Sequence, residues 1–305
     1  MRVLVTGGTG LIGRQVIEEL LTRGIDVVSF DASTMSDPPR GAVSINGDIR
    51  DADFLCRVIQ NQSVDRIIHC AAMLQATCED NPALAVAINA TGAVNVLEAA
   101  QRLGVGRVVL ASSLAVYGRT RYSPMDETHP CEPAGIYASI KLLGEHLARA
   151  YERAGSIEVF AVRFGLVYGP GGIRSKGVAA DFRNMLLGAV RGRRVKIPSS
   201  EQMVPLTYVN DAALGVVLAC LKTPTPAHRI YNVSGHGHTL TEVAELLCRL
   251  YPGTKIEREE SRLASPLNGD LDITLARTDL GYAPAIDLEE GIRRTCAYLE
   301  SARTP

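Results

Sequence analysis

Residues 1 to 24 read MRVLVTGGTGLIGRQVIEELLTRG, and this stretch decides the fold. Residues 2 to 5 form a short apolar run, which predicts a buried strand, and the glycine-rich turn TGGTGLIG (Thr6 to Gly13) follows at once. After the turn, apolar side chains recur at helical spacing until Gly24 ends the helix. A strand, a glycine turn and a helix in this order are typical of the first unit of a dinucleotide-binding fold.

The glycines of this turn have separate physical roles. Gly7 permits the sharp turn, Gly10 lets the backbone approach a pyrophosphate, and Gly13 lets the helix lie close to the strand. Leu11 and Ile12 belong to the first helical turn, whose free N–H groups and positive dipole end attract phosphates. We therefore expect these five residues to bind the cofactor.

An acidic residue ends the second predicted strand, IDVVSFD, at residues 25 to 31. Asp31 lies 18 residues after Gly13, where its carboxylate would accept hydrogen bonds from both adenosine ribose hydroxyls and repel a 2′-phosphate. Arg40 lies too far beyond the strand to count as a phosphate clamp. The expected cofactor is therefore NAD rather than NADP.

The alternation of strand and helix continues along the chain. Further apolar strands are predicted at residues 65 to 72, 107 to 113 and 158 to 169, and long helices at residues 82 to 104 and 137 to 153. Such alternation predicts an α/β fold with a Rossmann-type, doubly wound parallel sheet.

The regular alternation of strand and helix patterns ends at Gly169, where a glycine-rich loop begins. Strands and helices of less regular spacing follow. We therefore expect an NAD-binding core at residues 1 to 168, with return segments near 204 to 233. Residues 169 to 305 would form mainly a smaller C-terminal substrate lobe on the same sheet.

Composition argues against several kinds of partner. The formal net charge is −1 without long runs of one sign, so neither nucleic acid nor a membrane surface is expected as a partner. Seven scattered cysteines without a CxxC pair favour reduced thiols in the cytoplasm. No signal peptide is recognised, and the apolar run Ala212 to Leu221 is too short to cross a bilayer. His69 and Cys70 lack further ligands at suitable spacing, so no metal is expected.

Three other side chains have the pattern of an acid–base site. Tyr137 and Lys141 share one face of a predicted helix, and Ser113 ends a strand at the sheet edge where ligands bind. A phenol titrates near ~10 and is a poor base unless a cation favours the phenolate. Lys141 and the oxidised nicotinamide would supply that charge, and Lys141 would also hold the nicotinamide ribose. Tyr137 would then take a proton from a substrate hydroxyl, while Ser113 hydrogen-bonds the reacting oxygen.

Together these motifs resemble the extended short-chain dehydrogenase/reductases, which include NAD-dependent epimerases and dehydratases. The shared motifs cover nearly the whole chain: TGGTGLIG, GDIRD (Gly47 to Asp51), HCAA (His69 to Ala72), NATGAVNVLEAA (Asn89 to Ala100), ASSLAVYG (Ala111 to Gly118), YASIK (Tyr137 to Lys141), VYGPGG and LGYAP (Leu280 to Pro284). The resemblance implies five further cofactor-site residues: Asp48 and Ile49 at the adenine, Ala71 and Ala72 in the groove, and Asn89 as support for the active site.

The resemblance has two further implications. The family's SSxxVYG pattern favours Ser113 over its rival Ser112 as the catalytic serine. Relatives commonly dimerise through a four-helix bundle, and the two long predicted helices are apolar over much of their surface. A homodimer is therefore expected.

The substrate side departs from the nucleotide-sugar enzymes of this family. Leu166 stands where many of them carry an Asn that contacts the diphosphate, and Val204 or Pro205 stands where they often carry an Arg. A buried diphosphate without cationic partners would lose strong charge-assisted hydrogen bonds. The stretch VPLTYVND is instead similar to the short-chain L-threonine dehydrogenases, which act on a small substrate.

Three functions therefore stay open. The first expectation is NAD-dependent oxidation of a secondary alcohol on a small sugar-like, polyhydroxylated or hydroxy-acid substrate. Ser113 and Arg163, with Arg174 and Lys176 from the glycine-rich loop, are the candidates for substrate contact. The alternative is a nucleotide-sugar epimerase or dehydratase with retained NAD. The third is a non-catalytic NAD-binding regulator, against which the complete Ser, Tyr and Lys set argues.

Overall fold

The computed structural model describes residues 1–33, 40–155, 157–171, 178–198, 201–259 and 265–301. The strands are β1 (Arg2–Thr6), β2 (Asp26–Asp31), β3 (Val43–Asn46), β4 (Arg66–His69), β5 (Arg107–Ser113), β6 (Glu158–Phe164), β7 (Leu166–Tyr168), β8 (Val195–Pro198), β9 (Met203–Tyr208), β10 (Ile230–Val233), β11 (Gly237–Thr239) and β12 (Ile256–Glu259). The α-helices are α1 (Leu11–Thr22), α2 (Ala52–Asn61), α3 (Gln75–Asp80), α4 (Pro82–Ala85), α5 (Gly92–Leu103), α6 (Ile136–Arg153), α7 (Val178–Val190), α8 (Val209–Leu221), α9 (Leu240–Leu250) and α10 (Leu288–Ser301). Short π-helical segments span Val86–Thr91 and Ala276–Leu280, and a 3₁₀ turn spans Leu114–Tyr117.

Seven parallel strands form the central sheet in the order β10-β6-β5-β4-β1-β2-β3. Val3 and Val5 of β1 pack against α1 and α8 on one face, whereas Leu4 packs against α2 and α5 on the other. The predicted α/β fold with a doubly wound parallel sheet is thus confirmed. The strand order reverses between β1 and β4, so their carboxyl ends border the crevice where such sheets bind ligands.

A smaller lobe is built from two short sheets and the helices α7, α9 and α10. Its strands run in the order β11-β9-β7, and β12 pairs with β8. The stretch predicted as one strand before Gly169 is divided at Gly165, with β6 in the central sheet and β7 in the lobe. A Cβ on Gly165 would lie 2.4 Å from the Pro205 carbonyl oxygen, so this position requires glycine. Of the segment near 204 to 233, α8 and β10 join the core and β9 lies in the lobe.

The helix predicted at residues 82 to 104 runs through α4, the π-helical segment Val86–Thr91 and α5. It ends before Gly104, which adopts a φ of 70°. By length and composition alone this helix would be long and apolar enough to cross a membrane. Val96 and Leu97 are fully buried beside the sheet, however, so it is a core helix of the folded chain.

Candidate active site

The glycine turn lies in the crevice at the carboxyl end of β1. Gly7 has a φ of 68°, and a Cβ there would lie 2.6 Å from the backbone nitrogen of Ala71. A Cβ on Gly13 would lie 2.1 Å from the carbonyl oxygen of Gly7, because α1 lies directly against the turn. Both positions therefore require glycine.

Helix α1 begins immediately after this turn without a side-chain cap. Its first backbone hydrogen bond runs from the Arg14 N–H to the Gly10 carbonyl oxygen at 3.0 Å. The N–H groups of Leu11, Ile12 and Gly13 thus have no acceptor within the helix and lie at its positive end. Such N–H groups bind phosphate oxygens, so the turn fits a dinucleotide pyrophosphate.

Asp31 ends β2 beside the glycine turn. One carboxylate oxygen accepts a hydrogen bond from the Thr9 N–H at 3.1 Å, and the other accepts from the Ser33 N–H at 2.9 Å. A carboxylate has about four acceptor positions, so both oxygens keep lone pairs for ribose hydroxyls. The two backbone bonds fix the carboxylate at the rim of the cofactor crevice.

We expect Asp31→Ser to weaken NAD binding about 10- to 100-fold, because hydrogen bonds to a charged acceptor are lost. Binding of NADP should weaken less, since the carboxylate that repels its 2′-phosphate is removed as well. Calorimetric titration with each nucleotide measures both dissociation constants. Asp26→Ser, at the exposed start of the same strand, is the control and should change neither constant. Equal losses for the two nucleotides would argue against this role of Asp31.

Asn89 fixes the chain after β4 rather than pointing into open space. Its Oδ1 accepts from the Met73 N–H at 2.7 Å, and its Nδ2 donates to the Met73 carbonyl oxygen at 2.9 Å. Ala71, Ala72 and Asn89 line a small cavity that Lys141 also borders. Asn89 therefore shapes the cofactor side of the crevice from behind.

Asp48 and Ile49 follow β3 at the far side of the crevice. The Asp48 carboxylate accepts from the Arg50 guanidinium at 2.5 Å, and this bond lowers the pKa of Asp48. Ile49 is buried against Gly92, where a Cβ would lie 2.5 Å from its Cδ1. Their contact with an adenine stays a prediction.

Ser113, Tyr137 and Lys141 lie together at the carboxyl end of β5. The Ser113 side chain lies beside the Tyr137 phenol and favours its ionised form. The Lys141 ammonium lies 5.6 Å from the centre of the Tyr137 ring and donates to the Ala111 carbonyl oxygen at 2.6 Å. The structure thus brings together the three residues that the sequence nominates for acid–base chemistry.

The two neighbouring serines have different surroundings. Ser112 is buried and donates its hydroxyl to Glu145 at 2.7 Å. Ser113 is partly exposed, and its Oγ accepts from the Ala115 N–H at 3.1 Å. Ser113, rather than Ser112, is therefore the serine beside Tyr137.

Desolvation by burial is the largest cause of the pKa shifts of Tyr137 and Lys141. It raises the pKa of Tyr137 to about 12, although the hydrogen bond from Ser113 acts in the opposite direction. It lowers the pKa of Lys141 to about 8. Lys141 is not among the groups that shift the pKa of Tyr137 within the chain, so the prediction that Lys141 and the oxidised nicotinamide together favour the phenolate stays a prediction. Burial thus favours the neutral phenol of Tyr137, and the positive charge of a bound oxidised nicotinamide would oppose this effect.

The prediction that Arg163 contacts substrate is wrong. Arg163 is buried, and its guanidinium donates to Glu145 at 2.7 and 2.9 Å and to the Tyr117 hydroxyl at 3.0 Å. Further bonds reach the Glu127 carbonyl oxygen and the Cys131 sulfur. All five N–H groups of the guanidinium are engaged within the protein, so none is left for a ligand.

The remaining substrate-side positions are the two loop cations and the apolar residues on β7 and β9. Arg174 and Lys176 lie outside the described residues. Leu166 pairs with Leu206 between β7 and β9, and Val204 packs in the core of the C-terminal lobe. Strands β7 and β9 thus bring no cation to this surface at Leu166 or Val204.

No group of three or more His, Cys, Asp or Glu side chains that could hold a metal occurs in the described part of the chain. His69 is buried at the end of β4, where its Nδ1 hydrogen-bonds the Thr6 hydroxyl at 2.7 Å. Solvent exclusion lowers the pKa of His69 to about 3, so the ring is neutral. His69 is a core residue beside the glycine turn.

Two acidic residues near the site escaped prediction from the sequence. Glu79 accepts from the Ile136 N–H at 2.7 Å and so caps α6 next to Tyr137. Glu145 lies four residues after Lys141 and is buried at the base of the site. The helical spacing of Tyr137, Lys141 and Glu145 was a usable signal, since it places all three on one face. The cap by Glu79 comes from a distant part of the chain and had no such signal.

Comparison with known proteins gives concordant results. Residues 3–234 match the NAD dependent epimerase/dehydratase family. The chain is 31% identical to a putative UDP-glucose 4-epimerase of Methanocaldococcus jannaschii, with 98% of each chain covered. Its fold matches the UDP-glucose 4-epimerase of Thermus thermophilus in complex with NAD, with a TM-score of 0.86, 29% identity, and 99% and 100% of the two chains covered. It also matches the Thermotoga maritima UDP-glucose 4-epimerase with UDP-glucose, with a TM-score of 0.87, 26% identity and 99% of each chain covered.

Proposed function

The chain belongs to the NAD-dependent epimerase/dehydratase family, and from this premise we propose that it is a nucleotide-sugar epimerase that retains NAD through its reaction. The observation that carries the proposal is the end-to-end likeness to a putative UDP-glucose 4-epimerase, which covers 98% of both chains. These likenesses favour the nucleotide-sugar alternative over oxidation of a small alcohol, the first expectation from sequence. Membership of an enzyme family and the intact trio also argue against a purely regulatory protein.

The residues of the crevice fit the proposed cofactor and its chemistry. NAD, when bound, accepts hydride from a substrate carbon and returns it to that carbon. Tyr137 is placed to take the proton of the hydroxyl on this carbon and to give it back when the carbonyl is reduced. Ser113 donates a hydrogen bond to the same oxygen, and the positive charge of Lys141 favours ionised Tyr137. Because hydride and proton both return, the sugar undergoes no net oxidation, and return of the hydride to the opposite face of the carbonyl inverts the configuration.

Turnover without added cofactor tests this proposal. The purified protein is denatured and its released NAD quantified. The native protein is then incubated with UDP-glucose, UDP-glucuronate or dTDP-glucose, and products are identified by NMR. We expect near-stoichiometric NAD and an epimerised nucleotide sugar, without accumulation of NADH. Loss of water from a nucleotide sugar would instead establish a dehydratase.

The second candidate is NAD-dependent oxidation of a small alcohol or hydroxy acid. The apolar Leu166 and Val204 favour it, because neither offers a diphosphate a hydrogen bond or a charge. A panel of sugars, sugar acids and hydroxy amino acids is assayed for NADH formation. NADH from one of these, together with no conversion of any nucleotide sugar, would overturn the epimerase proposal in favour of this function.

The proposed compartment is the cytoplasm. All seven cysteines are free thiols, and Cys78, Cys220 and Cys296 are buried. Free thiols persist where the cell keeps glutathione and thioredoxin reduced.

We also propose that the protein is a homodimer that pairs through α4, α5 and α6. Leu84 on α4, Val86 in the π-helical segment before α5, and Leu143 on α6 are large apolar residues, and between 40% and 49% of each is exposed. Such residues clustered on neighbouring helices favour burial against a second copy.

Leu143→Glu is expected to convert the dimer to a monomer, because it places a charge in an apolar interface. Sedimentation velocity gives the oligomeric state at several protein concentrations. Tyr298→Glu on α10, which is 41% exposed, is the matched control and should leave the dimer intact. A Leu143→Glu protein that sediments like the wild type would exclude this face.

A further inference from the structure

A buried ion pair lies beneath the acid–base trio. Arg163 of β6 donates to both carboxylate oxygens of Glu145 on α6, at 2.9 and 2.7 Å, and each residue is only 2% exposed. The same carboxylate accepts the Ser112 hydroxyl of β5 at 2.7 Å. One carboxylate thus joins two central strands to the helix that carries Tyr137 and Lys141.

The other side of the guanidinium reaches the segment that follows Ser113. Arg163 donates to the Tyr117 hydroxyl at 3.0 Å, and its Cζ lies 4.9 Å from the Tyr117 ring centre. The Tyr117 hydroxyl in turn lies 2.7 Å from Oδ1 of Asn232 on β10. The residues on both sides of Ser113–Val116, namely Ser112 and Tyr117, are therefore tied to the same ion pair.

We propose that Glu145 and Arg163 are positioning residues that hold Ser113 against Tyr137, in addition to joining the helix to the sheet. This inference rests on the acid–base role given to the trio in the proposed function. A bidentate arginine–carboxylate pair fixes both the distance between the two side chains and their relative orientation. Apolar contacts do not fix that orientation. A buried ion pair adds little net stability over apolar packing of similar volume. The orientation that the Glu145–Arg163 pair imposes therefore explains its presence better than a gain in stability does.

The effect of the ion pair on Tyr137 passes through Ser113. Ser113 opposes the rise in the pKa of Tyr137 that burial causes, Cys78 adds to that rise, and the Lys141 ammonium lies 5.6 Å from the centre of the ring. A shift of Ser113 away from Tyr137 therefore raises the pKa of Tyr137 further. Misplacement by about 1 Å at a reacting group costs up to ~100-fold in rate.

Glu145→Gln tests the proposal, with Glu158→Gln as a matched control. Glu158 pairs with the buried Arg107 at 2.8 Å. This pair lies at the amino ends of the same two strands, β5 and β6, away from the trio at the carboxyl ends. Steady-state rates across pH are measured with the nucleotide sugar that the wild type converts. We expect Glu145→Gln to lower kcat about 10- to 100-fold, with a smaller change in KM and a pH profile moved to higher pH. Glu158→Gln should keep the kcat and pH profile of the wild type.

A milder pair of variants guards against failure to fold. Ser112→Ala leaves the ion pair intact, and we expect a smaller loss of kcat in the same direction. Its control is Thr225→Val, which removes a hydroxyl bonded to Arg107 and Glu158. Equal kcat values for Ser112→Ala and Thr225→Val would overturn the proposal even if Glu145→Gln does not fold.

Titration of Tyr137 provides a readout that needs no substrate. The ultraviolet absorbance change of each NAD-bound protein with pH is compared with that of the same protein carrying Tyr137→Phe. The difference reports the ionisation of Tyr137, and we expect it at higher pH in Glu145→Gln. An unchanged titration would overturn the positioning role. If the wild type converts no nucleotide sugar, the proposed function fails, while the titration still decides the role of Glu145.

Discussion

Tyr137→Phe will lower kcat by about a thousandfold, within the range that one positioned acid or base contributes. The phenyl ring keeps the packing of α6 against β5 but removes the hydroxyl that, in the proposed function, moves a proton between the substrate oxygen and the protein. Ser113 would still donate to that oxygen, so a slow residual reaction should persist. Rates are measured at saturating nucleotide sugar by NMR, and bound NAD is quantified in the same samples. NAD content should stay at the wild-type level.

Tyr151→Phe is the control for this prediction. Tyr151 lies on the same helix, and its hydroxyl bonds Glu98 away from the trio. It should retain wild-type kcat. Undiminished turnover by Tyr137→Phe would show that another group moves the proton, and would remove the chemical basis of the proposed function.

Gly13→Ala will abolish detectable binding of NAD. The new Cβ would meet the Gly7 carbonyl oxygen at 2.1 Å and the Gly8 Cα at 2.9 Å, and both neighbours are backbone atoms. The clash is relieved only if α1 moves away from the turn. The free N–H groups at the N-terminus of α1 then move with the helix. Forcing an extra methyl group into such packing also costs roughly 1–3 kcal/mol of stability. Calorimetric titration with NAD and thermal unfolding measure the two effects.

Gly106→Ala provides the comparison for this substitution. A Cβ at Gly106 meets its nearest neighbour, the Asp65 carbonyl oxygen, at an ordinary 3.8 Å. It should bind NAD as the wild type does and unfold at a similar temperature. Retained NAD affinity in Gly13→Ala would mean that the pyrophosphate does not lie on the N-terminus of α1.

The cofactor turn and the trio were predictable because their chemistry is local in sequence. Gly7 and Gly13 act within one turn, and Tyr137 and Lys141 share a helix face four residues apart. Helical spacing and strand ends fix such sites before any packing is known.

The role of Arg163 depended on long-range packing and was predicted wrongly. A cation near a site suggests an anionic ligand, but the burial of Glu145 on the neighbouring helix supplied the anion from within the protein. The break of the predicted strand at Gly165 has a similar origin, because the Pro205 carbonyl that crowds it comes from β9. Neither contact leaves a periodic pattern in the sequence.

The π-helical turn at Val86–Thr91 makes the length of its helix critical. Hydrogen bonds in such a turn span one residue more than in an α-helix, and Asn89 lies inside it with its amide held by Met73. A π-turn accommodates one residue more than an α-helical turn, so deleting one residue here would leave an ordinary α-helix without the widened turn that places Asn89 against Met73. Natural insertions and deletions should therefore be excluded between Val86 and Thr91.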